Sequence, residues 1–211
     1  MTTRRGEDWG TTGTAPASLE VVADDEALWR FVSEVELSEV ELGEGEPPVV
    51  GLAGGDLWRT LGGAPGRPAP VAGGPVALLP VDVGVLVVDG ADVPFAAHVL
   101  ARRRWWHGEI VAVMNAQFLG SWDVAPRAHP NDGRLDIVRV DPTMGIVDRW
   151  RASRRVPTGA HVPHPQIGQS QTDATVIELP VPLDVWVDGI SVGRLERLAV
   201  RTVPDALIVA I

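Results

Sequence analysis

The chain has 211 residues, a net charge of −10 and 18 basic residues that are all arginine, which excludes a nonspecific nucleic-acid binder and any chemistry that needs a P-loop or Schiff-base lysine. It has no cysteine, so disulfide frameworks and thiolate metal sites are excluded too. The hydrophobic content of 45% predicts a globular protein, and the lack of an apolar run of membrane-spanning length or of a signal peptide predicts a cytoplasmic one.

The N-terminal part has the pattern of a short α/β unit. Residues 1–18 are polar and are predicted to be a disordered leader. Residues 19–22 form a short apolar run that indicates an edge strand, and Asp24-Asp25 is then predicted to cap an amphipathic helix with an acidic start. The acidic run 34–46 is predicted to be a solvated loop. The apolar run 49–53 is predicted to be a compact strand.

A strand that ends in glycines and turns into a helix is a layout that can cradle a phosphate. Gly54, Gly55 and Asp56 follow the strand directly, and residues 57–61 indicate a short helical turn. Glycines let a phosphate approach the backbone, and a helix N-terminus supplies N–H donors. A tight turn without a ligand explains the same residues. The next segment, 62–75, is dense in Gly and Pro and is predicted to be a linker and domain boundary.

From residue 76 onward, short apolar runs separated by turn signals predict a β-sandwich or barrel. Asp89-Gly90 and Asp188-Gly189 are strong hairpin signals. The predicted strands are 76–79, 81–88, 94–101, 109–115, 135–140, 174–179, 183–187, 190–193, 198–202 and 206–211.

The segment 102–107 combines three arginines, two tryptophans and a histidine. Such a cluster can stack on a base or lie at a membrane interface, but an exposed hairpin corner with its tryptophans packed inward is the favoured interpretation. Further on, Asp141-Pro142 is predicted to begin a helix with Met144, Val147 and Trp150 on one face.

Two loops are candidates for ligand binding. The connection 114–136 is long and punctuated by Pro and Gly, which is typical of ligand or ion binding and also of an ordered connection. His161 and His164 lie three residues apart, a spacing that zinc sites use, but neither a carboxylate nor a cysteine lies near them in the sequence.

The order of several motifs resembles the diacylglycerol kinase and sphingosine-kinase-like bacterial lipid kinase family. These motifs are GGD after a strand, VDVG, MNAQFLGSWDVAPRAHPNDGRLDIVRV, VDG and RTVPDALIVAI. The resemblance covers 76–211, the β-rich C-terminal domain of the family. It implies an α+β fold, with a shortened Rossmann-like α/β remnant over 19–75 and a β-sandwich over 76–211 whose last strand, 206–211, returns to the N-terminal sheet.

The resemblance also implies cofactors. The family holds a structural Mg²⁺ through an Asp carboxylate and neighbouring carbonyls, which implies Asp132 with the carbonyls of His129 and Arg134 here; hard oxygen donors on a tight turn suit this ion. ATP is the second cofactor that the resemblance allows, at the Gly54, Gly55 and Asp56 turn.

The catalytic motifs of the family are incomplete in this chain. Leu57 and Trp58 stand where the nucleotide loop has small residues and threonine. Ile190 stands where the family has the glutamate that acts as general base, and isoleucine cannot accept a proton. Asp188 and Glu196 are the carboxylates that could take over this role.

Three functions therefore remain open. The first is a catalytically degenerate family member, a pseudokinase that binds a lipid or nucleotide or acts in regulation, either free in the cytoplasm or peripheral at the membrane. The second is an active lipid kinase that transfers phosphate from ATP to a lipid hydroxyl. The third is a structural or interaction domain that reuses the fold, for example as a homo-oligomer.

Overall fold

The computed structural model describes residues 9–211 as a predominantly β chain with four short α-helices and one large sheet, which is an α+β fold. The strands are β1 (Thr11–Thr14), β2 (Glu20–Val22), β3 (Val49–Leu52), β4 (Pro75–Val88), β5 (Ala91–Phe95), β6 (His98–Arg102), β7 (Ile110–Met114), β8 (Phe118–Leu119), β9 (Trp122–Asp123), β10 (Leu135–Val140), β11 (Ile167–Thr172), β12 (Ala174–Val187) and β13 (Ile190–Ala210). The helices are α1 (Asp25–Ser33), α2 (Leu37–Glu41), α3 (Gly55–Thr60) and α4 (Ile146–Ser153), with a 3-10 turn at Val156–Thr158.

The N-terminal part forms a β2-α1-β3-α3 unit in which β2 and β3 are parallel. The predicted cap of α1 is confirmed, because the Asp24 carboxylate accepts the Ala27 N–H at 2.8 Å. The solvated loop predicted over 34–46 is wrong at α2, which forms because Leu37 is buried against the N-terminal core. The disordered leader is wrong at β1, which pairs with β4; residues 1–8 lie outside the described residues.

One strand joins the N-terminal unit to the β-rich part. The C-terminal end of β13 pairs in parallel with β3, with Ile208 opposite Val49, and also runs antiparallel to β4. Its N-terminal half pairs with β12. The register against β4 shifts between Val203 and Leu207, where Asp205 has a φ of 52°. This bulge bends β13 so that one strand serves both parts.

The strands of the β-rich part are longer than predicted. Two or three predicted strands merge into each of β4, β12 and β13. Bulges accommodate the prolines of β12 and β13 that look like strand ends in the sequence, while Pro80 of β4 stays in the ladder opposite Ile208. The predicted strand 94–101 is instead divided between β5 and β6. The turns at Asp89-Gly90 and Asp188-Gly189 are confirmed as hairpin turns with positive φ at each of their residues.

The sheet is buried on both faces around β6 and β7, since alternate side chains of a strand point to opposite faces. Val99, Val111 and Val113 pack into one core together with β12 and β13. Leu100 and Met114 face the other way, into a second core that is covered by α4, the β8-β9 hairpin and the loop between β6 and β7.

The helix predicted from Asp141 begins later, and the apolar side chains within it are turned outward. Asp141 instead accepts the backbone N–H of Thr143 in a turn, and α4 starts at Ile146. Val147 and Trp150 are exposed, while Arg149 is buried. None of the helices within residues 9–211 is both long and apolar enough to cross a membrane.

Candidate functional site

The ends of the parallel strands β2 and β3 bring together a buried polar cluster. Asp25 begins α1, Asp56 lies in the first turn of α3, and His98 begins β6. Ligand sites of open α/β sheets lie at the carboxyl ends of their parallel strands, which is where Asp25 and Asp56 are placed. Asp56 Oδ2 lies 3.0 Å from His98 Nε2, and Asp56 Oδ1 accepts the Gly120 N–H at 2.7 Å.

Asp25 accepts hydrogen bonds from the backbone N–H groups at the start of α3, which are the donors that the sequence suggests for a phosphate. Its carboxylate accepts the Asp56 N–H at 2.7 Å and 2.9 Å and the Leu57 N–H at 3.3 Å. The two glycines fit this arrangement, because a Cβ on Gly54 would lie 2.1 Å from a backbone oxygen and one on Gly55 would lie 2.6 Å from the Asp25 carboxylate. A nucleotide phosphate would therefore have to displace Asp25 and then face its charge.

Asp188, a candidate general base, is completely enclosed. Its carboxylate accepts the backbone N–H groups of Ala96, Ala97 and His98 at 2.7, 3.0 and 2.8 Å, which fixes the start of β6. Burial raises the pKa of Asp188 to about 6, although the nearby His98 counteracts the rise. Both carboxylate oxygens of Asp188 thus accept hydrogen bonds from backbone N–H groups. Glu196 lies on the exposed surface of β13, away from any enclosed site.

His98 lies in the field of three carboxylates. Burial lowers the pKa of His98, but the hydrogen bond to Asp56 and the charges of Asp188 and Asp25 outweigh it, so that the pKa is raised. Asp25, Asp56 and His98 can each direct one ligand atom to within 4.8 Å of the others. Asp25 and Asp56 already accept from backbone N–H groups and His98 Nε2 lies against Asp56, while His98 Nδ1 is buried without a partner in residues 9–211.

The predicted magnesium loop is held by another buried aspartate, Asp82 of β4. Asp82 accepts the Gly133 N–H at 2.7 Å and the Asp205 N–H at 2.9 Å, and thereby ties the loop to the bulge of β13. Asp132 is half-buried and accepts the Arg134 N–H at 3.0 Å, while the His129 carbonyl accepts the Asp132 N–H at 3.3 Å. The three predicted ligand residues thus form one tight turn.

Excess negative charge surrounds this turn. Burial raises the pKa of Asp82 and of Asp136 to about 6 each, and the charge of Asp132 adds to both shifts. Burial raises the pKa of Asp132 itself. The charge of Asp132 thus disfavours the ionised forms of Asp82 and Asp136, and a hard cation bound at the turn would relieve this repulsion.

A large apolar cavity lies on the outer face of β6, β7 and β10. Its volume is about 370 Å³, within the range of small-molecule sites. The walls come from the sheet, α4, the β8-β9 hairpin and the loop after β6, and include Leu100, Trp105, Ala112, Trp122, Met144 and Ala152. Trp105 and Trp122 contact edge to face, with ring centroids 5.2 Å apart.

Two polar side chains reach the wall of this cavity. The buried Arg149 donates to the carbonyls of Met144 at 3.0 Å and Trp105 at 3.1 Å, and also to those of Asp141 and Gly108. It thereby fastens α4 to the loop after β6.

The second polar side chain is His161, whose pKa is lowered by burial. Nε2 of this neutral ring lies 3.2 Å from the Val124 carbonyl, which assigns the proton to Nε2. Within the described part of the chain Nδ1 has no partner, so it is a free acceptor. His164 is not brought into a cluster of side-chain metal ligands in residues 9–211.

Comparison with known proteins places this architecture. The family model described as the YegS C-terminal NAD kinase beta sandwich-like domain matches residues 81–211, more than half of the chain. The chain belongs to this family. The match confirms the resemblance drawn from the NDG, VDG and VPDAL motifs and assigns the β-rich part as a YegS-type domain.

Solved structures share the fold of this YegS-type chain. A putative diacylglycerol kinase from Bacillus anthracis str. Sterne has a TM-score of 0.63 and 14% identity, covering 91% of this chain and 77% of that one. Two further structures from the same strain, described as a putative diacylglycerol kinase and as a diacylglycerol kinase, have TM-scores of 0.62 and 0.59 at 15% identity. Each covers 90% of this chain, and this chain spans 77% and 75% of them. No curated protein matches the sequence.

Sequence reasoning missed the parts of the site that depend on distant contacts. Asp25 lies at a predicted helix start, but its carboxylate accepts hydrogen bonds from Asp56 and Leu57, which are 31 and 32 positions away in the sequence. Asp82 did offer a signal, since a lone carboxylate inside the apolar run of β4 requires buried partners. No sequence signal indicated the cavity, because its walls come from four separate segments of the chain.

Proposed function

We propose that this YegS-type chain is a lipid-binding protein that has lost phosphoryl transfer and holds one acyl or alkyl chain in the cavity outside β6, β7 and β10. The observation that carries this proposal is the apolar space of about 370 Å³, which opens to the molecular surface. Tightly packed interiors rarely leave voids larger than a water molecule, so a space of this size with aromatic and aliphatic walls suits an apolar ligand.

The size of the cavity favours a single chain. If each methylene group takes about the volume of a water molecule in the liquid, ~30 Å³, the space holds a chain of roughly 12 carbons. A lipid with two long chains would have to leave one of them outside. The ligand class is therefore a single-chain lipid, or one chain of a larger lipid.

The hydrogen-bond acceptor Nδ1 of His161 narrows the class of lipid further. A buried acceptor without a partner costs free energy. Nδ1 is enclosed by protein in the unliganded chain, so a ligand hydroxyl would recover this free energy only after a small shift of the cavity wall. A neutral lipid with a hydroxyl group, such as a monoacylglycerol, offers this donor. Arg149 does not compete for the ligand, because carbonyl oxygens already accept from its guanidinium group.

The polar cluster at β2 and β3 supports the loss of phosphoryl transfer. This reaction requires bound phosphates and a positioned base. Here Asp25 fills the N–H donors at α3, Asp188 bonds three backbone N–H groups, and Ile190 stands at the position of the base. Carboxylates surround the place where a triphosphate would lie, so we expect this chain not to bind ATP.

The residues of the Asp132 turn fit a Mg²⁺ ion. The Asp132 carboxylate and the carbonyls of His129 and Arg134 would hold it, with water completing the shell. Bound there, the ion would supply positive charge to a turn that lies beside Asp82 and Asp136. Its role would be structural, to stabilise the long loop that leads to the cavity wall at Val124.

The test is the binding of 1-monolauroylglycerol below its critical micelle concentration, measured by calorimetry and by native mass spectrometry. We expect one molecule per chain, and we expect Ala112→Leu to abolish binding because it fills the space without removing a polar group. His161→Phe should weaken monolauroylglycerol but leave a plain alkyl chain, such as dodecane, unaffected. Absence of binding to the wild-type chain would refute the proposal.

A control variant distinguishes filling from damage. Ala112→Leu extends into the cavity and should leave the melting temperature unchanged or higher. Ala101→Leu places the same group on the opposite, closely packed face of the neighbouring strand, where overpacking typically costs about 1–3 kcal/mol. If both variants lost stability equally, the space at Ala112 would not be a cavity.

A further inference from the structure

The surface beside the cavity has an unusual composition. Four large apolar side chains on α4 and on the loop after β6 are between 44% and 59% exposed: Trp106, Ile146, Val147 and Trp150. Large contiguous apolar patches are uncommon on soluble chains and mark contact sites. We call this set the apolar rim.

The fold creates the apolar rim by burying Arg149 instead of the apolar stripe of α4. Arg149 donates to carbonyls in the loop after β6, which turns its side of the helix inward. Ile146, Val147 and Trp150 fall within about 100° of one another and are turned away from the core, with Val147 about 160° from Arg149 around the helix. The same bonds hold the Trp106 loop beside α4, so that the rim is one surface.

The rim adjoins the cavity. Trp106 lines the cavity and is also exposed, and Ser153, on the last turn of α4, lines it while partly exposed. The cavity wall therefore reaches the molecular surface at the rim. Val147 and Trp150 do not line the cavity, so they serve neither the core nor the proposed lipid site.

The charge around the rim is opposite in sign to that of the molecule. Five exposed arginines flank it: Arg103, Arg104, Arg151, Arg154 and Arg155. The nearby carboxylates are Asp141, which is bound to Thr143, and Asp148, which lies 3.2 Å from Arg151. The rim is thus a basic patch on a chain of net charge −10.

We propose that the apolar rim docks on the surface of an anionic phospholipid bilayer. Tryptophan prefers the interface between water and lipid, aliphatic side chains enter the acyl boundary, and arginines attract anionic head groups. A nucleic acid would also attract the arginines, but Ile146 and Val147 would then stay exposed. Docking places the mouth of the cavity against the membrane, where single-chain lipids are found.

The test is flotation of the full chain with vesicles of phosphatidylcholine alone or of equimolar phosphatidylcholine and phosphatidylglycerol. We expect binding only to the anionic vesicles, with a blue shift in tryptophan emission, and weaker binding in high salt. Val147→Ser/Trp150→Ser should lower the partition constant about ten-fold or more. Arg103→Gln/Arg104→Gln should lower it about five-fold for each arginine.

Matched controls make the result specific. Leu42 and Val71 are more exposed than any rim residue but lie in the N-terminal part, so Leu42→Ser/Val71→Ser should bind vesicles like the wild type. Arg67→Gln/Arg197→Gln removes the same charge elsewhere on the surface. If these controls and the rim variants lost binding equally, net charge alone would explain the binding and the docking surface would be refuted.

Two further outcomes would overturn the proposal. Loss of vesicle binding in Ala112→Leu would show that the cavity, not the rim, holds the chain on the bilayer. Failure of the wild type to bind vesicles, together with self-association that Val147→Ser/Trp150→Ser abolishes, would assign the rim to a second copy of the chain. Vesicle binding without monolauroylglycerol binding would support the rim and refute only the proposed cavity ligand.

Discussion

At the scale of single residues, the molecule depends on buried aspartates that bind the backbone. Asp82 and Asp188 each accept N–H groups from segments far away in the sequence. Hydrogen bonds to a carboxylate are stronger than those to neutral acceptors, which offsets part of the cost of burying the charge. Asp188 is a candidate catalytic carboxylate in the sequence, but in the structure both aspartates fix strand ends and loops.

Asp188 gives a direct test of this role. In Asp188→Asn the amide group would turn an N–H toward a backbone N–H that the carboxylate now accepts. We expect the free energy of unfolding to fall by about 1–3 kcal/mol in a denaturant titration. Asp89→Asn is the matched control, since Asp89 lies in an equivalent Asp-Gly turn with positive φ but is exposed. Equal stability of the two variants would contradict a clamping role.

Asp136 should make stability depend on pH. Its folded pKa of about 6 lies above the unfolded value, so the folded chain binds more protons, and the contribution of Asp136 to stability falls as the pH rises from about 4 to 6. Asp136→Asn removes this pH-dependent loss of stability, while the amide oxygen can still accept the hydrogen bond from Gln171. In metal-free buffer the variant should gain about 2 kcal/mol relative to the wild type between pH 4 and pH 7. A difference that does not change with pH would be inconsistent with the raised pKa.

At the scale of elements, local signals predicted local structure well. The cap of α1 and the two Asp-Gly hairpins depend on residues within three or four positions, and all were correct. The α4 prediction failed because periodicity assumes that apolar side chains face the core, whereas carbonyls from the loop after β6 and from residues preceding α4 bury Arg149. Strand ends failed at prolines, which bulges accommodate in β12 and β13.

The candidate site divides in the same way. Gly54, Gly55 and Asp56 could be identified because a strand, glycines and a helix follow one another directly. Their partners Asp25 and His98 could not, since the contacts form only when β2, β3 and β6 are placed side by side. The order of residues in the sequence does not predict such long-range contacts unless a family resemblance supplies them. Here the resemblance was strongest beyond residue 76.

At the scale of the whole molecule, β13 decides how the two parts relate. It pairs with β12, then bends at the bulge and enters between β3 and β4. The N-terminal core includes Val81 and Val83 of β4 and Leu207 and Val209 of β13 together with residues of α1 and α3. The boundary predicted at 75 therefore separates sequence patterns, while the strands on its far side supply part of the N-terminal core.

A fragment test follows from this shared core. We expect the full chain to unfold in one cooperative transition, because the bulged strand transmits the loss of either part to the other. A fragment of residues 76–211 would expose Val81, Val83, Leu207 and Val209, which are buried completely in the full chain. At about 1.5–3 kcal/mol for each fully buried aliphatic side chain, this exposure matches or exceeds the whole stability of an ordinary domain.

The fragment should therefore lack a cooperative thermal transition in circular dichroism and bind a dye for exposed apolar surface. Adding residues 9–75 as a separate chain should restore the transition if the shared sheet is the cause. A fragment that melts cooperatively near the temperature of the full chain would show instead that the YegS-type domain folds independently, with β13 merely supporting the N-terminal unit at its edge.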